Sequence, residues 1–153
     1  MNPDDQAVMA ASAGPRLAAL ADSFRRLTGR ALTEAPTAGA FWRAPRAIVA
    51  HGLQADPIFF YGNRLALELF ETPARDFIRL PSRLSAEPAL RTERERLLAR
   101  VTTDGFIDDY AGVRISAKGR RFRIEQAVVW TVTDADGAPV GQAAAFDHWT
   151  RLN

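Results

Sequence analysis

The 153-residue sequence predicts an α+β domain, a five-stranded antiparallel sheet with short helices on one face, preceded by an N-terminal amphipathic helix. Three observations lead to that class. From Gly105 onward apolar residues recur with a period of two, through runs separated by the turn pairs Lys118-Gly119 and Asp136-Gly137. Two shorter apolar runs, Ala47 to His51 and Ile58 to Tyr61, come earlier and are parted by a turn from Gly52 to Pro57. Between these groups the spacing is helical and the ends carry capping residues.

Taken in order, Met1 to Gly14 is polar, rich in small residues and without period, so residues 1–14 are expected to be a disordered tail. Residues 15–45 read as an N-terminal helical segment. Leu17, Leu20, Phe24 and Leu27 form one apolar face, Pro15 suits the first turn and Gly29 the position past the end. A short turn with Phe41 and Trp42 leads into the core. Residues 46–153 hold the sheet. After the opening hairpin, Asn63 is a good cap for a helix through Leu65, Leu67, Leu69 and Phe70, because its side-chain oxygen accepts from an orphan first-turn amide. Thr72 and Pro73 open a second short helix, and Thr92 with Glu93 and Glu95 a third, ending at Gly105. Strands follow at Phe106 to Ser116, Arg120 to Thr133 and Val140 to Trp149. With Lys118 and Gly119 central in a two-residue turn, Ile115 faces Phe122 and Val113 faces Ile124.

Composition excludes several functions. Without cysteine there is no disulfide framework, thiolate nucleophile, iron–sulfur cluster or cysteinyl–flavin adduct. The high pI of 9.6 accompanies a net charge of only +2, because arginines nearly balance carboxylates. The one dense basic group, Lys118, Arg120, Arg121 and Arg123, reads as a solvated hairpin tip, so no nucleic-acid partner is expected. No apolar run reaches the ~18–20 residues of a membrane span, and no signal peptide is visible, which points to no membrane partner and a cytoplasmic location. Phosphate-loop, dinucleotide and nucleophile-elbow motifs are missing as well, so a non-catalytic role is expected.

The segment from His51 through Asp56-Pro57-Ile58 to Tyr61-Gly62-Asn63 resembles the opening hairpin of the MEKHLA family. Leu80 to Pro88, and the run from Gly105 through Asp108-Asp109-Tyr110 to Gly119-Arg120-Arg121-Phe122-Arg123-Ile124, are similar to that family's further blocks. The resemblance reaches from Phe24 to Trp149. It implies a PAS-like domain, of a kind found alone in bacteria and at the end of plant homeodomain–leucine-zipper transcription factors. It further implies a sensory or regulatory module that binds a small molecule, mediates homodimerisation, or does both, and signals to a separate regulatory protein. No specific cofactor follows. Haem is disfavoured because the helix at Thr92 to Val101 holds no histidine.

PAS domains place ligands between helices and the inner face of the sheet, so polar residues on that face are the candidates. Period-two counting puts Gln126 inward with Phe122, Ile124, Val128 and Trp130, and offers Gln142 or His148 beside Phe146. A buried glutamine needs partners, which a ligand or the protein backbone supplies equally well. Phe60, Tyr61 and Asn63 are further candidate lining residues, although capping already accounts for Asn63. Arg83, ahead of Glu87, is either an anion clamp at the mouth or half of a surface ion pair. His51 and His148 fall on strands that neighbour each other in a PAS sheet; structural hydrogen bonding is favoured over a metal pair. Asp108 and Asp109, adjacent on a strand, point to opposite faces and cannot share a proton. The alternative is a small NTF2-like isomerase or hydrolase using Tyr61, Asp109 or His148 as acid or base.

Overall fold

A computed structural model describes residues 2–152, with the backbone alone described at 88–91 and 94. Met1 and Asn153, the outer ends of two of the expected segments, lie outside the described residues. The helices are α1 (Asp4–Ala13), α2 (Arg16–Thr28), α3 (Ala38–Arg43), α4 (Arg64–Phe70), α5 (Ala74–Phe77) and α6 (Pro88–Asp104). The strands are β1 (Ala47–His51), β2 (Phe59–Gly62), β3 (Phe106–Ile115), β4 (Arg121–Thr133), β5 (Pro139–Phe146) and β6 (His148–Arg151). All pairs are antiparallel, in the order β2-β1-β5-β4-β3, with β6 paired to β4. The leading hairpin, the helical layer and the trailing strands follow the expected order. No helix among the described residues is long and apolar enough to cross a membrane.

Local chemistry sets several of these boundaries. Asn63 caps α4 as expected, accepting from Ala66 N at 3.2 Å. The same oxygen accepts from Ile48 N at 3.1 Å, while its amide donates to Phe41 O and Arg46 O at 3.0 and 2.8 Å. One buried side chain thereby joins α3, β1 and α4 with every hydrogen-bonding position used. Gly29 ends α2 in the left-handed region, at φ 73°. The third core helix starts earlier than Thr92, because Pro88 occupies its first turn, where a missing N–H costs nothing.

Four expectations are corrected. Residues 4–13 are not a disordered tail but form α1, whose helix rests on tertiary packing. Met9 and Ala13 are buried, and Asp5 Oδ1 accepts from Ala74 N at 3.1 Å. That bond caps α5 from across the fold. Thr72, expected to do so, instead donates to Phe70 O at 2.8 Å.

The last strand is broken. Val128 pairs with Ala145 and Glu125 with His148, so β6 continues the path of β5 along β4 beyond a gap at Asp147. Within the same gap Gln126 has φ 55°. A residue there rotates the strand, so side chains before and after it fall out of step by one.

The hairpin between β3 and β4 has a three-residue loop. Ser116 N donates to Arg120 O at 2.8 Å and Gly119, at φ 81°, donates to Ser116 O at 3.0 Å. Register is therefore one residue from that of a two-residue turn: Arg114 faces Phe122 and Gly112 faces Ile124.

Both faces of the sheet are covered. Phe24 of α2 meets Trp130 edge to face, ring centres 5.0 Å apart, on the outer side. Leu97 and Val101 of α6 pack with Ile107 and Val129 on the inner side. Phe59, Phe70, Phe77 and Phe122 form an aromatic chain at the other end of that inner layer.

Candidate functional site

Between the inner face of the sheet and α6 lies a chamber of about 60 Å³. Its walls are mostly apolar: Val49, Ile124, Ala127, Val129 and Ala144 from the sheet, Leu97 and Leu98 from α6, and the rings of Phe59, Phe70 and Phe146. His51, Ser85, Tyr110, Arg114 and Gln142 are the polar contributors. Buried apolar walls with a few fixed polar groups are the ordinary make-up of a small-molecule site, but the volume is below the ~300 Å³ at which drug-sized pockets begin. A flavin or haem does not fit the chamber as it stands, and the cysteine-free sequence has no thiol for a flavin adduct.

Helix α6 is tied to the sheet by side chains. Gln142 Nε2 donates to Leu98 O at 3.2 Å and to Thr102 Oγ1 at 2.9 Å. Its cross-strand neighbour Thr131 donates through Oγ1 to Val101 O at 3.3 Å. His51 Nδ1 is 3.1 Å from Gly52 O at the far strand.

Of the lining residues selected from the sequence, Gln142 and Phe146 line this chamber and the others lie elsewhere; His51, expected to be structural, also borders it. Gln126 is exposed and borders an outer groove with Val128, Arg30 and Asp147. Trp130 is on the outer face, where Nε1 donates to Ser23 Oγ at 3.0 Å. Both placements follow from the rotation at residue 126, which period-two counting cannot register.

Phe60 lies under the Arg16 guanidinium, 3.9 Å from ring centre to carbon, and Ser12 Oγ donates to its carbonyl at 2.6 Å. Tyr61 meets Phe41 edge to face at 5.9 Å and adjoins Met9 of α1. Asn63 is consumed by its four structural bonds. Arg83 pairs with Asp56 at 3.1 Å rather than with Glu87, both partners about half exposed. His148 is exposed and pairs with Asp147 at 2.6 Å.

The two histidines sit on different strand ends. His51 faces Gln142, and His148 is six residues further along the β5–β6 path, roughly 20 Å at ~3.3 Å per residue. Asp108 and Asp109 are both exposed, at an irregular stretch of β3. Tyr61, Asp109 and His148 do not converge. The basic hairpin tip is laced with ion pairs: Lys118 and Arg120 to Glu71, Arg121 to Glu87, and Arg123 to Glu125.

Arg114, Tyr110 and Ser85 are polar lining residues that sequence reasoning missed. Cross-strand partners share a face, so the three-residue loop that sets Arg114 opposite Phe122 also turns it inward. The usable signal was the preference of Gly119 for a left-handed position that closes a longer loop.

A family model, the MEKHLA domain, matches residues 16–151. Homeobox-leucine zipper protein HOX32 of Oryza sativa subsp. indica is 30% identical over 115 residues, covering 72% of this chain and 13% of that protein. Homeobox-leucine zipper protein HOX29 of the same subspecies is 29% identical over 114 residues, covering 74% of this chain and again 13% of the relative. The chain thus spans a small fraction of the length of the curated relatives it matches. Among solved structures, a PAS domain of a protein from Colwellia psychrerythraea superposes with a TM-score of 0.60 at 19% identity, covering 75% of this chain and 92% of that one. The LOV protein of Rhodobacter sphaeroides gives 0.58 at 12% identity, covering 74% and 62%. At these identities the structural likeness speaks for the fold alone, and that fold is PAS. Fold and family match agree across nearly the whole length: the chain belongs to the MEKHLA domain family.

Proposed function

We propose that this chain is a sensory or regulatory module in which a small molecule occupies the chamber, α6 registers its presence, and the change is passed to a separate protein or a second copy of the chain. The observation that carries this reading is the chamber itself, roofed by a helix that side-chain bonds from Gln142 and Thr131 hold to the sheet. A ligand entering there must displace Leu97 and Leu98 or strain those bonds, so a displaced position of α6 binds it better than the one seen here. Such a difference is what a ligand needs to shift a conformational equilibrium. The acid–base alternative draws no support from the separate positions of Tyr61, Asp109 and His148.

The test is a titration of the isotopically labelled full chain with a small-molecule cell extract, followed by amide NMR. Saturable shifts at Val129, Ala144 and Leu97 are expected. An extract that leaves those amides unmoved would count against the reading. Light scattering on the same samples reports whether occupancy changes subunit number.

A further inference from the structure

Resting on the reading of the chamber as a ligand site, we propose that its ligand is a small organic acid whose carboxylate is held by Arg114 and whose apolar body fills the space under α6. Arg114 lines both the chamber and an adjoining open groove of about 450 Å³ between α6 and β3, and so stands at the junction of the two. It is partly buried, and no carboxylate lies within ion-pair distance of it among the described residues. Among the described residues its one protein hydrogen bond runs from an Nη to Val113 O at 3.0 Å, which leaves most of a guanidinium's five donors unused by them. The contrast is local. Arg120, Arg121 and Arg123, on the same hairpin, each have an acidic partner.

The fork is also held in place. Its central carbon lies 5.3 Å from the centre of the Tyr110 ring. The Tyr110 hydroxyl occupies the space where residue 112 would carry a Cβ, so a glycine there lets the ring lie along the strand beneath the guanidinium. A planar cation resting over a ring suits bidentate recognition of a planar carboxylate better than of a rounder anion. Beyond it the chamber offers Val129, Ala144 and Leu97, which favour a hydrocarbon body. The groove outside carries Arg96 and Arg100 against Glu93 and Asp109, so with Arg114 three cations face two carboxylates among the described lining residues, a balance that favours anions.

The experiment titrates the labelled full chain with benzoate and with its neutral isostere benzamide. Expected are saturable shifts at Val129 and Ala144, with benzoate binding about tenfold or more tightly, the scale of one charge-assisted contact. Arg114→Gln, checked for an unchanged amide spectrum, is expected to erase that preference, and Ala144→Leu to abolish both interactions by filling the chamber. Equal affinities, or a preference that survives Arg114→Gln, would overturn the acid assignment and leave the chamber reading standing. Shifts from neither probe would also overturn the assignment, and the extract titration then decides the broader reading by itself.

Discussion

The indole N–H of Trp130 donates to the hydroxyl of Ser23 at 3.0 Å, binding α2 to the outer face of β4 across 107 residues of sequence. Both residues are buried, and Ser23 in turn donates to Ala19 O at 2.7 Å. Ser23→Ala removes the acceptor and leaves a buried donor unsatisfied. The expected loss is about 1–3 kcal/mol, read as a lower urea midpoint at unchanged slope. An unshifted midpoint would mean that the contact does not hold α2 in place.

Asn63 makes four hydrogen bonds to four different residues while fully buried. Asn63→Ala is expected to cost about 3–5 kcal/mol in chemical denaturation, since it strips a cap and leaves two carbonyls and two amides to find partners. Asn63→Asp should also destabilise, because it turns an acceptor toward Phe41 O and Arg46 O.

Gln126 adopts a φ of 55° with its side chain exposed. Glycine tolerates that backbone better, so Gln126→Gly is expected to be neutral or to stabilise by up to about 1 kcal/mol, with ligand shifts at Ala144 unchanged. Gln126→Val should destabilise, because a β-branched residue resists the left-handed region. A loss of binding in the glycine variant would place Gln126 in the site after all.

That residue also marks where sequence reasoning reached its limit. The helix at Arg16–Thr28, the strand at Ala47–His51 and the cap at Asn63 were legible because periodicity, Gly29 and a capping asparagine leave local signatures. Alternation in β4 was legible only as far as residue 125. Glutamine carries no signal for positive φ, and Ala127 to Trp130 are all buried because helices cover both faces, which hides the change of phase. Likewise α1 has no apolar period of its own and exists through Met9, Ala13 and the Asp5 cap on α5. Arg114 escaped notice because a one-residue difference in loop length turns a whole strand over.

Burial pushes the Tyr61 phenol above its ordinary value of 10.0. The unfolded chain therefore ionises this group first. The contribution to stability is complete below pH 10 and is lost progressively as pH rises from there through the folded value. Tyr61→Phe should show a smaller drop in stability between about pH 8 and about pH 11 than the parent protein. A parent whose stability is flat over that range would contradict the burial.

The chamber under α6 is the feature on which the functional account stands, and xenon under pressure probes it without assuming any ligand. Xenon enters dry apolar cavities. Methyl resonances of Leu97, Val129 and Ala144 should shift saturably in the parent protein, and those of Leu97 and Val129 should stay still in Ala144→Leu. Methyls that do not respond in either protein, or a response confined to the α2 side of the sheet, would contradict the account.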